Sequence, residues 1–252
     1  MDIFKTWFLY PALFVMMGMN PASAQQGKTV IFCIGDSITW GQAFGTGHDY
    51  PTLLNKKFAA LGITGIQFQN KGVSGDTVGD RLTYWSSSAG ANVLARVDVH
   101  YVTIMLGTND TRVGDETPTG VYLERLNALI DIFVNHANKD GTTPQVLLSL
   151  IPPHNSPALG ENMASQFRDR FIHRDRIPNE LNPGILQVAR ERGLRTIDCY
   201  TPLKAAGPDI LPDGLHPARE GNEILAQAFF EVFWPILAPA SGVAETVYDE
   251  FQ

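Results

Sequence analysis

The sequence predicts a single α/β domain built on a mainly parallel five-stranded sheet with helices on both faces. Three observations predict it: a length of 252 residues with 44% hydrophobic content, short apolar runs that alternate with longer helical patterns, and the continuous apolar character of those runs. Strands that are apolar on both faces are typical of parallel sheets covered by helices. The chain is long enough for one sizeable core, and its length favours one domain over two.

Five apolar runs are predicted to be strands, and each is followed by loop signals and then by a helical pattern. The predicted strands are residues 30–34, 66–69, 99–106, 146–151 and 195–198. The main predicted helices are residues 50–61, 118–135, 179–192 and 219–237. Gly62 and Gly193 directly follow two of these helices, where a glycine often ends a helix. Residues 152–178 contain four prolines and are predicted to form a long loop, either functional or simply solvated.

The N-terminal segment has the pattern of an export signal. Lys5 supplies a positive start, residues 7–19 are almost entirely apolar, and Ala22-Ser23-Ala24 is a small-residue cleavage pattern. The apolar run is shorter than the roughly 20 residues that a membrane-spanning helix needs. We predict a signal peptide over residues 1–24 and one domain over 25–252, with a flexible tail at 241–252. The protein is then secreted or periplasmic and has no stable membrane insertion after cleavage; an uncleaved anchor is the alternative.

The net charge limits the classes of partner that the protein is expected to bind. The net charge of −7 and the isoelectric point near 5.3 argue against nucleic acid and anionic membrane surfaces. A small-molecule or glycan ester suits this surface better, and the sequence leaves the oligomeric state open.

Cys33 and Cys199 lie on strands that are not neighbours in the predicted sheet, so two buried free thiols are expected. No metal-ligand spacing of the CxxC or HExxH kind is present.

Candidate chemical groups follow the predicted strands. Ser37 comes directly after the first strand in Gly35-Asp36-Ser37, where a glycine-flanked turn can expose a hydroxyl, although an ordinary turn serine has the same pattern. The glycine-rich residues 70–77 follow the second strand and can present a backbone N–H group. Asn109 follows the third strand and offers a side-chain N–H donor.

Asp213 and His216 precede the last predicted helix. A separation of three residues in a tight loop can set the carboxylate beside imidazole Nδ1, which leaves Nε2 free to accept a proton from a serine. A lone pair of this kind is usually a capping or surface arrangement. The order Ser37, Asp213, His216, with every member at a predicted loop, favours nucleophilic catalysis.

These four stretches resemble the motif blocks of the SGNH, or GDSL-type, serine hydrolase family, which run GDSxxxG, a loop glycine, GxND and DxxHP in that order. The resemblance covers nearly the whole chain after the signal and implies a flavodoxin-like, three-layer α/β/α fold. It implies Ser37 as nucleophile, His216 as general base and Asp213 as the residue that orients the base. The acyl-enzyme mechanism of such a triad needs no cofactor and no metal.

The same resemblance implies an oxyanion hole formed by the backbone N–H groups of Ser37 and Gly75 and by the Asn109 side-chain amide. Gly75 is chosen over Gly72 because its Ser-Gly-Asp-Thr setting looks like the family's second block. Asp36 and Asp110 are expected to brace their loops through backbone hydrogen bonds.

The first and third blocks look similar to those of carbohydrate O-acetylesterases of this family, including sialate O-acetylesterase-like members. We therefore expect a secreted serine esterase acting on short acyl esters, chiefly acetyl, of carbohydrate. A lysophospholipase or thioesterase of the same family, and a non-catalytic glycan-binding protein, are the alternatives. Trp40 and His154 are candidate substrate-binding residues, and the aromatic residues Tyr50 and Trp85 are further candidates, with local packing as the alternative for each. Arg112 is expected either to meet a substrate oxygen or to pair with a loop acid.

Overall fold

The computed structural model describes residues 28–42, 47–112, 114–154 and 175–241. The predicted signal, the predicted tail beyond residue 241 and most of the predicted loop at 152–178 lie outside these ranges. No helix within them is long and apolar enough to cross a membrane.

Strands and helices alternate along the described residues. The strands are β1 (Thr29–Gly35), β2 (Ile66–Gly72), β3 (Tyr101–Met105), β4 (Gln145–Ser149) and β5 (Arg195–Ile197). The helices are α1 (Ser37–Trp40), α2 (Tyr50–Ala60), α3 (Val78–Ser86), α4 (Ser88–Leu94), α5 (Thr119–Val134), α6 (Asn182–Arg192), α7 (Tyr200–Ala206) and α8 (Arg219–Ser241). Short 3₁₀ turns lie at Asn109–Thr111 and Pro208–Ile210, and a π-helical turn, Ile177–Leu181, leads into α6.

The five strands form one parallel sheet in the order β2-β1-β3-β4-β5. At the carboxyl end of the central strand, Gly35 lies opposite Gly72 of β2 and Met105 of β3. The predicted five-stranded parallel sheet with its flavodoxin-like order is thus confirmed. In such a sheet the crevice for ligands opens at the carboxyl ends of the two strands where the winding reverses, here β1 and β3.

Helices cover both faces of the sheet, as the continuous apolar strands predict. On one face, α2, α7 and α8 bury side chains such as Ile31 and Cys33, and the rings of Phe58, Phe230 and Trp234 pack together there. On the opposite face, α3, α5 and α6 bury the alternate strand residues in a second cluster. Successive strand residues point to opposite faces, so each strand contributes to both cores.

The sequence prediction missed the shorter helices. Helices α3, α4 and α7 have at most nine residues each, too few turns for a 3.6-residue apolar period to stand out. Strand β2 also runs three residues past its predicted end because it is an edge strand, where polar residues are tolerated.

The predicted free thiols are confirmed, since Cys33 and Cys199 are both buried and unpaired. The glycine ends of two helices are confirmed by the left-handed backbone of Gly62 and Gly193.

Gly72 packs against the turn that follows β1. A Cβ atom on Gly72 would lie 2.4 Å from the backbone nitrogen of Trp40 and 2.8 Å from the carbonyl oxygen of Asp36. Backbone atoms on a one-turn helix cannot move aside cheaply, so this close approach requires glycine.

We expect Gly72→Ala to lower the free energy of unfolding by about 1 to 3 kcal/mol, because the added methyl group overlaps backbone. Gly65→Ala is the matched control, since a Cβ atom there meets nothing within 4 Å. Urea unfolding of both variants measures the difference. Equal stability of the two variants would contradict the packing explanation.

Candidate active site

The turn after β1 places Ser37 at the start of α1. The Asp36 carboxylate caps this helix, because its Oδ1 accepts a hydrogen bond from the Ile38 N–H at 2.9 Å. Helix α1 then ends after one turn at Gly41, whose left-handed backbone lets its N–H donate back to the Ser37 carbonyl. Ser37 is therefore held at a helix N-terminus, where backbone N–H groups are unpaired and point outward.

His216 lies between Ser37 and Asp213 and is hydrogen-bonded to both. His216 Nε2 is 2.8 Å from Ser37 Oγ, and Nδ1 is 2.6 Å from Asp213 Oδ2. With the proton on Nδ1, the imidazole donates to the carboxylate and accepts from the serine hydroxyl. The structure thus brings together the three residues that the sequence predicted, in the arrangement that activates a serine.

Hydrogen bonds to one carboxylate hold the Asp213–His216 loop. Asp213 Oδ1 accepts backbone N–H bonds from Leu215 at 2.9 Å and His216 at 2.6 Å, so one carboxylate holds both the ring and the backbone. Burial by itself would raise the pKa of Asp213, but the hydrogen bonds from His216 outweigh it and lower that pKa. The carboxylate therefore stays ionised opposite the imidazole.

The loop after β2 distinguishes the two candidate glycines. The Gly72 N–H is taken, because it donates to Asn70 Oδ1 at 2.9 Å. Gly75 lies in the following turn with φ at +88°, and among the described residues its N–H makes no hydrogen bond. Gly75 thus has the free donor that an oxyanion needs, whereas Gly72 serves packing.

Asn109 follows β3 and faces the same loop. Its Nδ2 donates to the carbonyl oxygen of Asp76 at 2.9 Å, which occupies one of the two hydrogens of the amide group and leaves the second. The neighbouring Asp110 accepts the Val78 N–H at 3.0 Å. The expectation that Asp36 and Asp110 brace loops through backbone hydrogen bonds is therefore confirmed.

Arg112 makes hydrogen bonds that the sequence did not predict, whereas its contact with a substrate oxygen stays a prediction. Its Nη2 donates to Asn109 Oδ1 at 2.7 Å and to the Gly75 carbonyl oxygen at 3.0 Å. Within the described chain, Arg112 makes no ion pair with an acid, because Asp76 pairs instead with Arg81 at 2.7 Å. Contacts from an arginine to carbonyl oxygens leave no signature in a sequence, which is why this role was missed.

The four candidate substrate-binding residues lie in different surroundings. Trp40 is 52% exposed and follows Ser37 by three residues on the same helical turn, so both side chains emerge on one side of α1. Tyr50 and Trp85 are 0% and 3% exposed and belong to the two cores, so their assignment to a sugar site is wrong. His154 follows β4, and its ring nitrogens are shielded from solvent.

His154 lies near the triad on the wall of a cavity of about 220 Å³ that Tyr200 and Leu211 also line. Burial first, and then the proximity of His216, lower the pKa of His154 to about 4. The imidazole is therefore neutral at neutral pH.

Asp36 is a buried carboxyl group directly before Ser37 in the chain. Burial raises the pKa of Asp36 to about 6, against the opposing effects of the Ile38 N–H and nearby His216. Its Oδ2 is buried without a hydrogen-bond partner among the described residues. The same residues contain no cluster of three or more His, Cys, Asp or Glu side chains able to hold a metal ion.

The match to a protein-family model agrees with this geometry. Residues 33–224 match the model described as the GDSL-like lipase/acylhydrolase family, a span that includes the serine turn, both donor loops and the Asp213–His216 loop. The chain belongs to this family.

Curated proteins that are similar to this sequence have esterase names. The isoamyl acetate-hydrolyzing esterase 1 homolog of Bos taurus is 28% identical over 140 residues, 54% of this chain and 55% of that protein. The acetylxylan esterase of Xylanibacter ruminicola is 28% identical over 248 residues, 89% of this chain and 48% of that protein. The chain therefore spans about half the length of the curated relatives it matches.

Solved structures of low sequence identity share the fold. A lipolytic G-D-S-L family protein from Veillonella parvula superposes with a TM-score of 0.61 at 23% identity, covering 81% of this chain and 98% of that one. A catalytic mutant of an acetylxylan esterase from Geobacillus stearothermophilus has a TM-score of 0.59 at 23% identity, with 81% and 94% covered. The three-layer architecture is therefore that of the family.

We expect Asp36→Asn to stabilise the fold relative to the parent as the pH rises from about 4 to about 6. The folded pKa of Asp36 lies above its ordinary value, so the folded state binds the proton more tightly and loses stability as the carboxyl ionises. The gain is on the order of 3 kcal/mol at pH 7 and small at pH 4. Urea midpoints at pH 4 and pH 7 measure it.

Asp140→Asn is the control of opposite sign. Hydrogen bonds from Thr142 lower the pKa of Asp140, so this substitution should cost stability above about pH 4, near the ordinary Asp pKa. A gain for Asp36→Asn that is equal at both pH values would show that the charge is not its cause.

Proposed function

We propose that this chain hydrolyses short acyl esters, chiefly acetyl esters of carbohydrate, with Ser37 as nucleophile. The observation that carries the proposal is the hydrogen-bonded series Asp213, His216, Ser37, with distances of 2.6 and 2.8 Å. A binding protein has no use for a serine whose hydroxyl is bonded to an imidazole that a carboxylate orients. The alternative of a non-catalytic glycan-binding protein is for this reason disfavoured.

The mechanism follows from the positions of the protons. Ser37 Oγ attacks the ester carbonyl carbon while His216 Nε2 accepts its proton, and Asp213 stabilises the imidazolium that forms. The alcohol leaves with that proton, and a water molecule activated by the same imidazole then releases the acid from the acyl-enzyme.

The oxyanion is stabilised by three N–H donors in this proposal: the backbone amides of Ser37 and Gly75 and the side-chain amide of Asn109. The Gly75 N–H and one hydrogen of the Asn109 amide make no hydrogen bond within the described residues. They are therefore free to bind an oxyanion, an acceptor that forms only during the reaction. Loss of one such donor typically lowers turnover by about 10² to 10³.

Two observations support a small acyl group on a sugar. Among the described residues, Trp40 and Val73 are large apolar side chains with exposed fractions of 52% and 41%, and a flat indole beside the nucleophile suits a sugar ring. The names of two relatives, isoamyl acetate-hydrolyzing esterase and acetylxylan esterase, both specify acetyl esters.

Export completes the proposal. The N-terminal pattern supports a signal peptide over residues 1–24 and a secreted or periplasmic enzyme whose single catalytic domain occupies residues 25–252. The acidic net charge of −7 is compatible with a neutral glycan ester outside the cytoplasm.

We expect Ser37→Ala to abolish hydrolysis of p-nitrophenyl acetate and labelling by a fluorophosphonate probe. The parent should prefer the acetate over the octanoate ester, measured side by side as kcat/KM. Ser86→Ala is the matched control, because that hydroxyl only bonds the Leu82 carbonyl on α3. Unchanged hydrolysis by Ser37→Ala would refute the mechanism, and a preference for octanoate would favour a lysophospholipase or thioesterase.

We expect Trp40→Ala to raise KM for acetylated xylo-oligosaccharides by about 5- to 10-fold, because an aromatic contact is worth roughly 1 kcal/mol. Its KM for p-nitrophenyl acetate, which lacks a sugar, should change by less than about 2-fold on the same reasoning. Leu186→Ala, a 42% exposed apolar side chain on α6, is the control. Equal effects on both substrates would show that Trp40 supports the turn and does not bind sugar.

A further inference from the structure

One side chain bridges the two loops that carry the second and third oxyanion donors. Arg112 Nη2 donates to Asn109 Oδ1 at 2.7 Å and to the Gly75 carbonyl oxygen at 3.0 Å. We propose that Arg112 is the positioning residue of the oxyanion hole: it fixes the Asn109 amide and the Gly75 backbone so that their N–H groups point at the developing charge. This inference rests on the proposed function.

The two ends of the Asn109 amide have different partners. An arginine side chain can only donate hydrogen bonds, so Arg112 binds the oxygen of the Asn109 amide. A backbone carbonyl can only accept, so the carbonyl oxygen of Asp76 binds the amide nitrogen, at 2.9 Å. These two contacts permit a single orientation. A flipped amide would aim an oxygen lone pair at the oxyanion and repel it, which reverses the sign of the donor's contribution.

The same guanidinium holds the Gly75 backbone. The φ of Gly75, +88°, lies in the left-handed region that glycine adopts freely because it has no side chain, so contacts from outside restrict its conformation. Arg112 Nη2 donates to the Gly75 carbonyl oxygen at 3.0 Å. This hydrogen bond holds the peptide group that directly follows the Gly75 N–H and its Cα.

The guanidinium of Arg112 bonds to the two donor residues and to no acid within ion-pair distance among the described residues. Its positive charge favours the ionised forms of the neighbouring Asp76 and Asp80 carboxyl groups, but its Nε is buried and has no hydrogen-bond partner in the same part of the chain. Both hydrogen bonds that the guanidinium donates go to residues proposed to donate to the oxyanion.

Steady-state kinetics of Arg112→Met on p-nitrophenyl acetate test the inference. We expect kcat to fall by about 10- to 100-fold, less than for complete loss of a donor, with KM within about 2-fold. In an Asn109→Ala background the same substitution should cost less than about 3-fold, because one of the groups it orients is absent. Equal losses in both backgrounds, or an unchanged kcat, would overturn the inference.

Arg112→Lys keeps the charge but offers a single ammonium in place of a planar fork. We expect it to recover part of the lost kcat, and it takes the place of the methionine variant if that variant does not fold. Arg192→Met is the matched control, because Arg192 donates to Asn127 Oδ1 at 3.0 Å on the remote α5–α6 contact. Its kcat should equal that of the parent.

A readout independent of esterase activity separates this inference from the proposed function. The side-chain amide of Asn109, assigned in ¹⁵N NMR spectra by its absence in Asn109→Ala, should shift and broaden in Arg112→Met but not in Arg192→Met. An unaltered Asn109 signal overturns the positioning role whatever the kinetics show. Equal ester hydrolysis by the parent and Ser37→Ala would instead refute the proposed function, and the NMR comparison would still decide the role of Arg112.

Discussion

The close approach of the turn after β1 to the end of β2 is the constraint on which the rest of the site depends. Gly35 and Gly72 face each other across the two strands, and a Cβ atom on either would collide with the α1 turn. Below this turn, the Thr39 hydroxyl lies 3.3 Å from that of the fully buried Tyr50. Ser37 is thus placed directly on the sheet and the core, with no intervening flexible segment.

Holding the Ser37 turn in this position requires buried carboxyl groups, which are costly to ionise. Asp36 caps α1 and is buried beside the nucleophile, and Asp110 supports α3 from the next loop with one oxygen buried and unpartnered among the described residues. Burial raises the pKa of both carboxyl groups. The site therefore uses acids for loop geometry at positions where apolar side chains would be easier to bury, because only an acceptor can hold the backbone N–H groups at these turns.

The parts of the molecule that the sequence predicts are those set by local patterns. Most strands are apolar runs, and the blocks around Ser37, Asn109 and His216 are short and contiguous, so the fold class and the meeting of these residues could be predicted. The strand order is implied by the resemblance of these blocks to the SGNH family. Arg112 could not, because its partners are carbonyl oxygens 3 and 37 residues away. The burial of Tyr50 and Trp85 also depends on which helix face meets the sheet, and neighbouring sequence does not encode this for single aromatic residues.

The hydrogen bond from Ser37 to His216 joins positions 179 residues apart. Ser37 belongs to the first strand–helix turn of the domain, whereas His216 directly precedes α8, whose aromatic residues complete one core. A nascent chain that has not yet released its last helix from the ribosome consequently contains Ser37 without its hydrogen-bond partner. The arrangement of Ser37, His216 and Asp213 therefore forms only after the C-terminal part of the domain has been synthesised.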